Sequence, residues 1–379
     1  MNDARTREID PGRLARRIDA LEGVDRLRRA AREAAARAYL VGGSVRDLLL
    51  GADRSDLDVA VEGDPLALAS ALGGAARTHE RFATASVGLD GQTIDLAATR
   101  AERYPHPGAL PEVRPASLDE DLARRDFTVN AMAVDLLGEG ELIDRHGGLD
   151  DLRAGVLRDL HERSFVDDPT RALRAARYAA RLGFEPEPST LGRLRAVDLG
   201  AVSPERVEAE LRRLAEEERA RRGFELLASW GLLDLPQGAA DLIEAIVVLS
   251  GEPAWSRLDH HADAVLAAAS GVGPPPELGA APSSPSEAVR LARGHGGAEL
   301  LLARAAGARW LDRYLTEWSR VRLEIGGRDL LAAGVPEGPR LGAGLRAALE
   351  AKLDGEISGR EQELRVAVAV ATAPVEPAS

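Results

Sequence analysis

The stretch "YLVGGSVRDLLLGADRSDLDVAV", residues 39–61, decides how the chain is read. Apolar residues ending at Val41 read as a strand that stops at Gly42-Gly43. Ser44 then suits the cap of a short helix, "VRDLLL", which Gly51 terminates. A glycine turn feeding a helix start offers amide donors and a positive dipole end to a phosphate. Glycines at such turns also serve plain steric needs. The following strand, "SDLDVAV", puts Asp56 and Asp58 on one face and Leu57, Val59 and Val61 on the other. Two carboxylates roughly 7 Å apart at the backbone can converge on a hard divalent ion; without a cation they repel. A lone pair of this kind also occurs on the solvated face of an edge strand.

Outward from this stretch, the chain of 379 residues is long enough for two to four domains. It is 45% hydrophobic and 29% charged, as a soluble globular protein is. Aromatic residues make up only 3%, so Ala, Leu and Val must build the core. Without cysteine there is neither a disulfide framework nor a thiolate metal site. The charged start "MNDARTREIDPGRLARRIDALEG" is no signal peptide, and no apolar run reaches membrane-spanning length. The expected setting is cytoplasmic, with no membrane partner. A net charge of −13 argues weakly against nucleic acid, yet every cation but Lys352 is an arginine, which grips phosphate bidentately. Distribution of charge therefore matters more than its sum.

Residues 1–36 read as a helical lead. From 37 to 150, short strands alternate with turns: "LDVAVEG", "TASVGLDG", "TIDLAATR", "TVNAMAVDLL" and "ELIDRHGG". Helical periodicity then takes over, in 151–215 and 216–269. The Pro/Gly/Ser-rich segment 270–287 reads as a linker, and 288–379 as a further helical region. The expected class is α+β: a small mixed-sheet head followed by all-helical segments.

Phosphate turn and acid pair in one strand–turn–helix–strand unit suit nucleotidyl transfer, the acids holding Mg²⁺ and the turn a triphosphate. Three other places can carry chemistry. In "ARRDFTVNAMAVD" (123–135), arginines can grip phosphates while Asp126 and Asn130 bond ribose hydroxyls; a surface salt-bridge cluster has the same composition. In "DDPTRALRAARYAARLGF" (167–184), Asp168 before Pro169 marks a helix start. Arg171 lies one turn beyond Asp168, so carboxylate and guanidinium can stand side by side and meet the edge of a base; a solvated ion pair has the same spacing. Arg174 and Arg177 continue the basic stripe. "LDHHAD" (258–263) has no second spaced ligand set and reads as structural.

Together these pieces resemble the class II tRNA nucleotidyltransferase and bacterial poly(A) polymerase family, the CCA-adding enzymes. "GGSVRD" with "DLD", "RRDFTVNA", "DRHGGLDDL" (144–152), "DDPTRALRAARYAARLGF" and "SPERVEAEL" (203–211) stand in family order over residues 39–211. The resemblance implies a head, neck, body and tail, the head a five-stranded nucleotidyltransferase sheet. It implies that Asp56 and Asp58 bind catalytic Mg²⁺, and that Gly42, Gly43 and Arg46 surround the triphosphate. Arg124, Asp126 and Asn130 would contact phosphate and sugar. Asp168 and Arg171 would read CTP or ATP, with Arg174 and Arg177 supporting ribose and phosphate. Glu205 and Arg206 would brace that helix, and Asp95 would be a third acid near the metal or a partner behind it. The family's Glu-Asp is Asp167-Asp168 here. The implied substrates are CTP, ATP and the 3′ end of tRNA, with the tail as RNA grip. CC-only, A-only and poly(A) addition, or an inactive RNA-binding relative, are the alternatives, and segment 103–123 is where the first of these would differ.

Overall fold

The computed structural model describes residues 9–52, 57–79, 83–89 and 92–373. Asp56, half of the expected acid pair, lies outside them. Two compact units are present: Met1–Leu214 with Glu225–Asp234, and Ala215–Phe224 with Leu235–Ser379.

In the first unit the strands are β1 (Arg37–Val41), β2 (Leu57–Glu62), β3 (Ala75–His79), β4 (Thr84–Leu89), β5 (Gln92–Ala98), β6 (Arg100–Arg103), β7 (Glu112–Pro115), β8 (Met132–Asp135) and β9 (Leu142–Asp144). Its helices are α1 (Leu14–Asp19), α2 (Val24–Glu33), α3 (Gly43–Leu49), α4 (Pro65–Leu72), α5 (Leu118–Ala123), α6 (Gly148–Ala154), α7 (Ser164–Asp167), α8 (Thr170–Leu182), α9 (Pro188–Leu194) and α10 (Pro204–Ala215). Among the described residues the sheet has seven strands, in the order β3-β4-β5-β2-β1-β8-β9. β2 runs parallel to β5 and antiparallel to β1, so the sheet is mixed as expected. The five-stranded expectation falls short because β3 and β9 extend the two edges. A separate hairpin, β6–β7, occupies part of segment 103–123.

Alternation in the strands sorts the two faces. Leu57, Val61, Val87 and Ile94 are buried on the face against which α2 and α4 pack. On the opposite face Tyr39, Val41, Ala60 and Ala133 cluster with Leu118 and Leu122 of α5. α5 thus roofs only the β8-β1-β2 side, and the polar face of β2, β5 and β4 stays open. Ser117 and Glu120 close a reciprocal capping box that fixes where α5 begins. Beyond the sheet, Asp144 caps α6 by accepting the Gly148 and Leu149 amides, each at 2.9 Å. Gly148 is needed there: a Cβ would stand 2.3 Å from the Thr128 carbonyl oxygen.

The second unit is helical: the end of α10, the start of α11 (Ala220–Ser229), then α12 (Ala239–Ser250), α13 (His261–Ala269), α14 (Pro276–Gly279), α15 (Pro285–Ala292), α16 (Gly297–Ala305), α17 (Trp310–Thr316), α18 (Gly327–Ala332), α19 (Pro339–Leu353) and α20 (Gly359–Thr372). The segment read as a linker, 270–287, is packed rather than free. It carries α14 and the start of α15, buries Leu278, and bonds Ser286 Oγ to Asp354 at 2.6 Å. At the C-terminal end Leu330, Ala348, Ala367 and Ala371 share one core. Gly344 lets α19 approach α20, since a Cβ there would lie 2.3 Å from the Ala367 carbonyl oxygen.

Candidate nucleotide and metal site

The acids come first. Asp58 on β2 and Asp95 on β5 are direct partners in the parallel ladder, and both are exposed between buried neighbours. Adjacent strands lie about 4.8 Å apart, so the two carboxylates stand side by side on the open face. Oxygen donors so placed fit a hard divalent cation, which removes their mutual repulsion. Among the described residues no group of three such ligands forms. The Asp58 amide is held at 2.8 Å by Ser44 Oγ. Ser44 is therefore a tie between helix and strand; Gly42, with φ of +64°, is the residue that caps α3. A Cβ on Gly43 would touch Asp58 Oδ2 at 3.6 Å, so the glycine turn lies directly against the acid.

Beside Asp58 opens a cavity of about 430 Å³, lined by Gly42, Gly43, Arg124, Asp126, Asn130, Asp168, Arg171 and Arg174 among others. Eight expected site residues thus share one wall with Asp58. Arg46 and Arg177 do not line it. Arg46 is buried, donating to Asp47 and to Asn130 Oδ1. Asn130 in turn donates to Asp126 Oδ1 at 3.0 Å, and Arg174 Nε donates to Asp126 Oδ2 at 2.9 Å. Burial by itself would raise the Asp126 carboxyl; Arg174 and Asn130 outweigh it and hold the group down at about 2. Arg177 stands over the Tyr178 ring at 4.9 Å and 3.8 Å from Glu210. These groups brace the cavity floor; the resemblance had Arg46 around the triphosphate and Arg177 supporting ribose and phosphate contacts.

Asp168, just before α8, and Arg171, in its first turn, reach the cavity but do not pair with each other through their side chains. Asp168 Oδ1 turns back to the Thr170 amide at 3.1 Å, capping α8, and also accepts Arg206 Nη2 at 2.9 Å. Arg171 points the other way, donating to Ser164 Oγ and to the Arg124 carbonyl, each at 2.8 Å. Arg206 of α10 further donates to the Gly108 carbonyl at 2.7 Å, so it joins Asp168 to the β6–β7 hairpin tip. Gly108 has φ of +70°, and a Cβ would lie 2.1 Å from the Ala201 carbonyl oxygen. Arg124 is held by Asp121 at 2.7 Å and by Glu102 at 2.8 Å.

Sequence reasoning missed Asp121 and Tyr178, and read Arg125 only as one of the arginines able to grip phosphate. Asp121 is buried and binds both Arg124 and Arg125; burial would raise its carboxyl, and the two arginines bring it below the usual range. Arg125 has a buried Nε without a hydrogen-bond partner and lies where a Gly42 side chain would be, 2.6 Å from the ideal Cβ. Tyr178 is faced by the guanidiniums of Arg46, Arg174 and Arg177, at 5.2, 5.5 and 4.9 Å. The signal for Tyr178 was present: an aromatic amid an arginine stripe in a chain poor in aromatics.

Mixed-sheet head, acids paired across β2 and β5 and an arginine-lined cavity define a nucleotidyltransferase. Comparison with known proteins makes this specific. Residues 38–158 match the Poly A polymerase head domain. The chain is 37% identical to a CC-adding tRNA nucleotidyltransferase of Deinococcus radiodurans over 344 residues, 86% of this chain and 87% of that one. Two solved structures share 28% identity: a CCA-adding enzyme in apo form II (TM-score 0.76; 94% of this chain, 98% of that one) and the Thermotoga maritima CCA-adding enzyme complexed with tRNA CCA (TM-score 0.70; 95% and 98%). The A-adding tRNA nucleotidyltransferase of Halalkalibacterium halodurans is 45% identical over 47% of this chain, which spans less than half (45%) of that relative's length. The chain belongs to the tRNA nucleotidyltransferase and poly(A) polymerase family. Nucleotidyltransferases of this family generally use a divalent metal.

Proposed function

We propose that the protein adds nucleotides, without a nucleic-acid template, to the 3′ end of tRNA, building CCA from CTP and ATP and releasing pyrophosphate. The observation that carries this reading is Asp58, which faces the cavity lined by Asp168 and Arg171 and pairs across the sheet with Asp95. Asp56 and Asp58, with Asp95 as a further acid, would hold Mg²⁺, which when bound would acidify the attacking hydroxyl and neutralise charge at the phosphates. The chain's own residues supply position. Gly43 lets a triphosphate approach beside Asp58, Gly42 makes way for the Arg125 guanidinium, and Arg124 and Arg125 stand at the cavity's border. Asp168 and Arg171 present an acceptor and donors to the base edge, while Arg46, Asn130, Asp126 and Arg174 hold the floor rigid. The hydroxyl oxygen of the RNA end attacks the α-phosphate in line; that P–O bond forms as the bond to pyrophosphate breaks. Segments 37–150, 151–215 and 288–379 then serve catalysis, base reading and RNA grip, in a cytoplasmic setting.

The likeness to a CC-adding relative over 86% of the chain favours a second reading, addition of CC alone. One assay separates them. tRNA lacking its 3′ end and an unrelated oligoribonucleotide are each offered CTP and ATP, alone and together. CCA addition gives three residues on tRNA only; a stop after two with both nucleotides gives the second reading. Long adenylate tails on both RNAs would sink both. Asp58→Ala is expected to lower addition at least about a hundredfold.

A further inference from the structure

Asp58 is the end of a row. Along one line across the open sheet face, Arg77 of β3 pairs with Ser86 of β4, Ser86 with Asp95 of β5, and Asp95 with Asp58 of β2. All four line a second cavity, about 580 Å³, in the range that holds a small ligand. Ser86 Oγ donates to Asp95 Oδ1, which fixes one oxygen of that carboxylate and directs the other. Arg77 is exposed at the far end of the row. Asp58, Arg124 and Arg125 line both cavities, so the two meet at the reacting acid. On the shared wall Asp121 holds the Arg125 guanidinium at 2.9 Å, which fixes it where the two cavities meet.

A transfer reaction between two substrates needs two seats that meet at the reacting atoms. The base-reading residues Asp168 and Arg171 line only the first. Resting on the function proposed above, we infer that the second cavity seats the terminal nucleotide of the acceptor RNA, with Arg77 binding its 5′ phosphate and Ser86 positioning Asp95. Three strand steps put Arg77 about 14 Å from Asp58 at the backbone. The long arginine side chain shortens that gap to the span of one nucleotide, from its 3′ hydroxyl at the acids to its 5′ phosphate. Neither Arg77 nor Ser86 stands in a motif that the sequence singled out.

The test uses the full chain and two acceptors, ordinary RNA and RNA with a neutral methylphosphonate at its last linkage. For the parent protein the neutral linkage raises KM for the acceptor about tenfold, the size of one charge-assisted contact. Arg77→Ala raises the same KM about tenfold on ordinary RNA and leaves KM for CTP unchanged, and the neutral linkage then adds nothing further. Arg77→Lys recovers part of the loss. Ser86→Ala weakens Mn²⁺ binding, read from the free-ion paramagnetic resonance signal, and Ser86→Thr restores it. If the two losses multiply, or KM for CTP rises instead, the assignment of Arg77 is overturned while the proposed function stands. If Ser86→Ala binds Mn²⁺ as the parent does, the positioning role is overturned. A parent that extends no RNA overturns the functional reading and this inference with it.

Discussion

At the scale of single residues, the site is stiffened by charges that are buried in pairs. Asp126 is 8% exposed and meets Arg174 through two nitrogens, so replacing it leaves that guanidinium only the longer contact to Glu210, at 3.7 Å. Asp126→Asn is expected to cost about 1.5–3 kcal/mol in denaturant unfolding at neutral pH, the size of a lost hydrogen bond to a charged group. The sign of the pH effect follows from the folded value, about 2, lying below the ordinary 3.8. The stabilisation is present above about 3.8 and is lost as pH falls through about 2. The asparagine variant should therefore lose less stability than the parent across that interval in acid titrations. Residue chemistry was legible in the sequence where the spacing was local: Asp168 does cap α8, two residues before Thr170. The resemblance had Arg206 bracing this helix; that it does so through Asp168, 38 positions away, while Arg171 of α8 turns elsewhere, was not legible. Periodicity places residues on a helix face but does not say which element lies opposite.

Elements show the same division. The patterns at 57–63, 84–91 and 93–100 read as strands because polar and apolar residues alternate, and β2, β4 and β5 form there. "AARTH" lacked that alternation, yet it forms β3 because β4 offers it a pairing edge. Thr128–Asn130, read as the start of a strand, is a 3-10 turn; Asn130 must leave the ladder to bridge Arg46 and Asp126. The β6–β7 hairpin is fastened at its tip, where Gly108 meets Ala201 and Arg206. Gly108→Ala introduces a side chain at positive φ against a backbone oxygen. It should lower thermal stability by about 1–3 kcal/mol. It should also weaken discrimination between CTP and ATP, because the Arg206 that holds Asp168 loses its second anchor. Melting curves and single-nucleotide addition assays read the two effects separately.

For the whole molecule, two compact units divide the work of stability. Glu363 in the second unit is fully buried and pairs with Lys352, the only lysine, at 2.6 Å. Burial would raise its carboxyl; Lys352 brings it below the usual range. Lys352→Met should speed hydrogen exchange in α19 and α20 and leave the sheet strands of the first unit unchanged, read by exchange mass spectrometry. The sequence by itself determined the class of fold and the chemistry on offer: alternation put acids on a strand face, and a turn of small glycines ran beside them. Both are local properties, set by backbone period and side-chain size. Only the tertiary structure decided which arginines face the cavity and which brace its floor, and it alone set Asp58, Asp95, Ser86 and Arg77 in one row. That row depends on strand order and register, which long-range packing fixes and no single stretch of sequence contains.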